Sequence, residues 1–367
     1  MNKYKKWCFG VILSVIGILL PFGMINYIVD PYSHYRYTSY PKDYLETRMF
    51  QVQRQLTPGF AKHMDYDTVL VGSSMTEYFS ADYINNNMKV KCAKLSISGG
   101  TTYEINSALT TAINTGKVKN ALVSVDVYMY DRDIKYTNAP MASYLYDENW
   151  FNDFKYLLNK DIFLDDTIPL LEERLSAKKD TFVWNDLYDD SESCIFSKEG
   201  TMKHYEPPTN SDKKEERELF TKDDIAEELK SDARISNMKA NFNENLLKVI
   251  DENPDIKFTL FFPPNSILYW DNSTRTDEVR NQAAFKTYIY ETLSKYSNVV
   301  MYDFQDVEEI IYNLDNYKDR SHYGPKLCNY LVDCMVNGKN QLTKDNYITK
   351  AVHLVNEAES FSLEQIE

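Results

Sequence analysis

Acyl transfer by a serine demands a base within hydrogen-bond reach, a group that orients the base, and N–H donors for the oxyanion. This sequence offers one arrangement that could meet all three. The run Asp67-Thr68-Val69-Leu70-Val71 ends in Gly72-Ser73-Ser74. Among the five histidines, only His322 stands in a loop after a predicted sheet strand with an acid, Asp319, three residues before it. His34 and His63 precede the first predicted strand, His204 lies in an acidic stretch and His353 in the tail. Spacing of three around a turn can place the Asp319 carboxylate beside the imidazole, fixing its tautomer and stabilising the imidazolium. Of only 11 glycines, Gly72, Gly99 and Gly100 fall at the carboxyl ends of the first two predicted strands. Glycine there permits the close backbone approach that an oxyanion donor requires. Each feature also has a plainer meaning. Ser is a preferred helix N-cap, Asp319 can cap a turn beside a surface histidine, and glycine can serve a strand-to-helix turn.

These residues must be positioned by a sheet. Strands are expected over 66–71, 89–97, 120–127, 256–262 and 299–304, from short β-branched and aliphatic runs of the kind buried parallel strands show. Helices are expected over 42–55, 81–87, 103–114, 235–252, 276–296 and 306–314, from 325 to about 336, and once more in the tail from 342. Thr101 or Thr102 can cap the 103–114 helix, with Glu104 or Asn106 in its first turn. Strands alternating with helices imply an α/β domain with a largely parallel sheet, whose ligands bind at the carboxyl edge. Between 132 and 234 the alternation stops. That stretch is acidic and aromatic, with Trp150, Trp184, Asp189-Asp190 and Glu215-Glu216. It reads as an insertion, mostly helix and loop, with its charged 211–231 part expected to be mobile. Its acidic face is solvated surface, or its aromatics stack on sugar rings.

The chain of 367 residues suits one large domain with an insertion, plus an anchor. A net charge of −14 argues against nucleic acid as a partner. Lys3, Lys5 and Lys6 precede residues 7–29, which carry no charged side chain. As a helix that run would be about 34 Å long, enough to cross a hydrocarbon core of about 30 Å. The basic tip predicts a cytoplasmic N-terminus and an extracytoplasmic remainder. The run exceeds a signal-peptide core and lacks a small-x-small cleavage site, while Tyr27 and Tyr32 suit the interface, so an uncleaved anchor is expected. Cys8 lies in the run; Cys92, Cys194, Cys328 and Cys334 are scattered and form no Cys-x-x-Cys pair, so no disulfide can be assigned. No metal-ligand spacing and no phosphate loop is present, and no cofactor is expected.

The blocks Gly72-Ser73-Ser74, Ser96-Ile97-Ser98-Gly99-Gly100-Thr101 and Asp319-Arg320-Ser321-His322, in this order, resemble the first, second and last blocks of SGNH (GDSL-type) hydrolases. The resemblance covers about 66–127 and 235–336. It implies a three-layer, flavodoxin-like α/β fold, with the nucleophile at Ser74, the base at His322 and its orienting acid at Asp319. The N–H groups of Ser74 and Gly99 would hold the oxyanion, and Ser73, Gly100, Asp126 and Tyr128 are the candidate contacts to substrate or acyl group. Ser73 occupies the family's usual Asp position. The family's third block, Gly-x-Asn-Asp, is missing. Val125-Asp126-Val127-Tyr128-Met129-Tyr130 has no Asn, so a Tyr hydroxyl or the backbone would replace that donor. Losing one oxyanion donor costs roughly 3–4 kcal/mol of transition-state stabilisation.

A Gly-Ser-Ser block behind an N-terminal anchor looks like the extracytoplasmic SGNH-like proteins of cell-envelope acylation. These include the D-alanyl transfer protein of teichoic acids and the exopolysaccharide O-acetyltransferases. Such proteins work beside a polytopic membrane-bound O-acyltransferase. The resemblance thus implies a membrane-anchored serine O-acyltransferase or esterase acting on a cell-envelope polysaccharide or teichoic acid. A non-catalytic partner or polymer-binding module that kept the fold is the alternative. The organisation expected is a tip and anchor (1–29), a juxtamembrane segment (30–65), a split α/β domain (66–131 and 235–340), the insertion (132–234) and a helical tail (341–367).

Overall fold

Five short aliphatic runs pair into one sheet: β1 (Thr68–Gly72), β2 (Cys92–Ser96), β3 (Asn120–Ser124), β4 (Lys257–Phe262) and β5 (Val299–Asp303). The structure, a computed structural model, describes residues 3–176, 181, 182, 185, 195–206, 218–230, 233–276 and 278–366. Strand order is β2-β1-β3-β4-β5 and every pairing is parallel, with Val71 opposite Leu95, Leu70 opposite Leu122 and Leu260 opposite Met301. All five residues of β1 and of β2 are buried, as strands covered on both faces must be. The connections leave β1 in opposite directions, toward β2 and later toward β3. That reversal opens a crevice at the carboxyl ends of β1 and β3, where open α/β sheets bind ligands.

The described chain divides into two compact units, Met1–Met64 with Pro140–Trp184, and Asp65–Ala139 with Asn185–Glu367. The expected single insertion at 132–234 is therefore shared out. Its described residues between 140 and 182 fold with the N-terminal segments, including 30–64, and its described residues in 132–139 and from 185 on fold with the sheet. Trp184, Asp189-Asp190, Glu215-Glu216 and Cys194 lie outside the described residues.

In the first unit, α1 (Lys3–Val29) is long and apolar enough to span a membrane. Asn26, the polar residue near its end, is fully buried. Its amide donates to the Leu157 carbonyl at 2.9 Å and accepts from the Thr167 hydroxyl at 2.7 Å. Asp30, at φ +48°, ends the helix, and its carboxylate accepts the N–H groups of His34, Tyr35 and Arg36. The Arg36 guanidinium caps the terminal carbonyls of Tyr27 and Ile28. Next, α2 (Lys42–His63) runs eight residues beyond the expected 42–55 despite Pro58 within it. Proline cannot donate to the carbonyl four residues back, and the Tyr146 hydroxyl takes that place on Arg54 at 2.6 Å.

In the second unit, α3 (Ala81–Met88) and α4 (Thr102–Asn114) follow β1 and β2. Thr101 forms a capping box with Glu104. The expected 235–252 helix comprises α5 (Ala233–Phe242), a wide turn at Asn243–Leu247 and Lys248–Glu252. Then come α6 (Glu278–Leu293), α7 (Pro325–Asn337) and α8 (Tyr347–Ser360). Helices cover both sheet faces. Leu70 and Leu122 share a core with Ile84 of α3 and Leu331 of α7, while Val123 faces Ile105 and Leu109 of α4 across a small cavity. Two pieces differ from expectation. Ile267–Ser273 is a helix with Trp270 fully buried, and Lys222–Glu228, inside the stretch expected to be mobile, is a helix held by buried Phe220 and Ile225.

Candidate active site

The serine is set by what precedes it. β1 ends at Gly72, where a Cβ would lie 2.5 Å from Thr76 Cγ2 and 2.7 Å from Ser124 Cβ. Only glycine lets β1 turn this tightly against β3. Ser73 then caps a single 3₁₀ turn, Ser74–Thr76, its Oγ accepting from the Met75 N–H. The turn is pinned from below by Lys94 in the middle of β2. Lys94 is 2% exposed, and its ammonium donates to the Glu77 and Phe79 carbonyls at 3.0 Å each. Gly72→Ala is expected to destabilise the fold by about 3 kcal/mol through overpacking, read as a lower thermal midpoint.

The histidine comes from the loop between β5 and α7. The Lys318 N–H donates to the His322 carbonyl, and Tyr317 bridges Tyr323, closing a small hairpin. Asp319 stiffens the loop from inside: one carboxylate oxygen accepts the N–H groups of Ser321 (2.8 Å) and His322 (2.9 Å). Buried Ser266, just after β4, holds the loop's other side through N–H and hydroxyl bonds to the Arg320 carbonyl. No sequence signal marked Ser266 or Lys94.

The loop brings together side chains 248 residues apart. Ser74 Oγ lies 2.8 Å from His322 Nε2, and His322 Nδ1 lies 2.8 Å from the second oxygen of Asp319. With Asp319 holding the proton on Nδ1, Nε2 is left to accept the Ser74 hydroxyl proton. The side chains of His322 and Asp319 are about one-third exposed, so the relay opens to solvent. Burial disfavours the Asp319 charge, but the His322 ring and the two N–H groups outweigh it and hold the carboxyl well below the usual range. The stability this contributes is complete above about pH 4 and is lost as acid protonates Asp319.

Gly99 sits at φ +58°, in a turn closed by the Gly100 N–H on the Ile97 carbonyl at 2.7 Å. At Gly100 a Cβ would meet that carbonyl at 2.8 Å. Asn138 donates to the Gly99 carbonyl and clamps the turn, another contact that sequence spacing did not reveal. The four candidate contacts part company. Ser73 and Asp126 are buried and bond to each other at 2.6 Å across the β1–β3 crevice, Gly100 is built into its turn, and Tyr128 is exposed. In comparisons with known proteins, no family model and no curated protein matches the chain.

Asp126 is pushed up to about 6 by burial, against the pull of the Ser73 hydroxyl and the His322 ring. An acid raised in the folded state adds most stability below its unfolded pKa, near 4, and loses it as pH climbs to about 6. The gap corresponds to about 3 kcal/mol. Asp126→Asn keeps an acceptor for Ser73, so it is expected to stabilise the protein by up to that amount at pH 8 and by nothing near pH 4. Thermal unfolding at the two pH values checks this.

Among the described residues, one cluster has metal-ligand types, Glu308, His353 and Glu357. It is half-exposed, and the two ring nitrogens of His353 face different carboxylates, at 3.1 and 3.9 Å, the geometry of an ion-pair cluster.

Proposed function

We propose that the chain is a membrane-anchored serine O-acyltransferase or esterase of the SGNH type, with that family's three-layer flavodoxin-like fold. One observation carries the reading above the others. A Ser–His–Asp relay with two 2.8 Å contacts stands at the carboxyl edge of a parallel sheet, open to solvent. Ser74 Oγ attacks the carbonyl carbon of an acyl donor while His322 Nε2 takes its proton. Asp319 steadies the resulting imidazolium, and the N–H groups of Ser74 and Gly99 receive the oxyanion. His322 passes the proton to the leaving group, and the acyl group stays on Ser74. An acceptor hydroxyl then gives its proton to His322, attacks the acyl carbon and releases Ser74, which regains the proton.

The N-terminal helix fits a single-pass anchor, and its basic tip supports a cytoplasmic N-terminus. The acceptor is assigned to a cell-envelope polysaccharide or teichoic acid, the acyl group to acetyl or D-alanyl, and the donor side to a polytopic membrane-bound O-acyltransferase. The second reading, a non-catalytic polymer-binding module, draws on the absence of Asn after β3, where Asp126 points inward to Ser73 instead.

Incubating the detergent-solubilised chain with p-nitrophenyl acetate and a sugar polymer separates these readings. The proposal expects nitrophenol release that needs Ser74 and His322, with acetyl recovered on the polymer or as acetate. Polymer binding without any Ser74-dependent release would favour the module.

A further inference from the structure

The first unit carries an apolar face that its own packing leaves uncovered. Trp150, Phe151, Phe154 and Leu164 are 70%, 71%, 58% and 60% exposed. Trp150, Phe151, Phe154 and Leu158 recur at the spacing of one helix face, on the turn Trp150–Asn152 and the helix Phe154–Leu157. Four large side chains in water on one short segment are costly, and such patches mark a binding surface.

The occupant follows from what lies beside the patch. A Cβ on Gly23 of α1 would meet Leu158 at 3.3 Å, and Phe22 packs against Phe163 as a tilted pair with ring centroids 4.4 Å apart. Leu19, Leu20 and Met24 of α1 form one wall of a groove of about 520 Å³, and Trp150, Phe154 and Leu158 form the other. Counted from Trp7 at 1.5 Å per residue, Leu19 to Met24 lie about 18 to 26 Å along a hydrocarbon core of about 30 Å. Residues packed against that stretch are at membrane depth, within about 12 Å of the surface at the C-terminal end of α1. An amphipathic segment with Trp and Phe on one face settles at that level.

We infer that Trp150–Leu158 is a second membrane element, its aromatic face buried among the acyl chains of the leaflet at the C-terminal end of α1. The inference rests on the reading of α1 as a membrane span. It assigns Trp150 to lipid, in place of the sugar stacking that its composition alone allowed.

The test uses the full chain in phosphatidylcholine–phosphatidylglycerol vesicles. Trp150 emission is taken as the difference between Trp7→Phe and the Trp7→Phe/Trp150→Phe double variant, and Trp7 emission as the difference between wild type and Trp7→Phe. The expected result is that lipids brominated near the glycerol end of the chain remove most of the Trp150 emission. Lipids brominated near the methyl end should remove less, and aqueous acrylamide little. Quenching of Trp7 by bromolipid, with Trp150 quenched by acrylamide alone, would overturn the inference and leave the anchor standing. Trp150 shielded from both quenchers would mean a protein partner or second copy covers the face, and also overturns it. Bromolipid acting on neither tryptophan would overturn the anchor as well.

Discussion

Ser74→Ala is expected to lower acyl transfer by about 10⁶-fold while leaving the fold intact. Removing a triad nucleophile costs on this scale because the remaining groups act only through it. The change deletes one half-buried hydroxyl that bonds His322, so the thermal midpoint should move little. His322→Ala should cost a similar factor, and the double variant no more than either alone, since the two groups work as one unit. Steady-state rates on an activated ester, measured beside a melting curve, separate lost chemistry from lost structure. A double variant whose losses multiply would mean that the two side chains do not act together.

The largest expected effect on stability lies elsewhere, at Lys286. Its ammonium, 2% exposed on α6, pairs with Asp303 at 2.6 Å at the end of β5, where Asp303 is fully buried. Lys350 pairs with Asp306 three residues on, and burial together with the Asp303 charge raises the Asp306 carboxyl. Two acids and two cations thus balance inside the second unit. Lys286→Met would strand the Asp303 charge, at an expected cost of about 3–5 kcal/mol. Lys286→Met with Asp303→Leu should recover most of the loss, because an apolar pair needs no partner charge. Urea unfolding of the three proteins checks the order. A single variant as stable as wild type at pH 8 would show that the buried pair contributes nothing.

Legibility in the sequence tracked local physics. The strands show because a strand covered on both faces must be a continuous apolar run, and β1 to β5 each fall within two or three residues of where such runs stand. Thr101 with Glu104 shows because a capping box is a four-residue local pattern. Ser74, Asp319 and His322 could be singled out from glycine placement and a spacing of three, but their meeting depends on the β5–α7 loop, which no local pattern fixes.

What stayed hidden was long-range satisfaction of polar groups. Lys94 stands in the middle of β2, and its bonds to the Glu77 and Phe79 carbonyls after the serine turn have no local signature. Lys286 and Asp303 are 17 residues apart, and their pairing has no local signature either. Ser73 and Asp126 both stand among the candidate substrate contacts, and their bond to each other across the β1–β3 crevice has no local signature. The sharing of 132–234 between two units was hidden for the same reason. The partners of 140–184, such as Asn26 for Leu157 and Arg54 for Tyr146, lie around a hundred residues upstream.

The most direct measurement is intact-protein and peptide mass spectrometry of the full chain in detergent after exposure to a fluorophosphonate. Stoichiometric phosphonylation of Ser74 is expected, slowed severely in His322→Ala and in Asp319→Asn. A wild-type chain that remains unlabelled at Ser74, or one labelled there equally fast without His322, would contradict it.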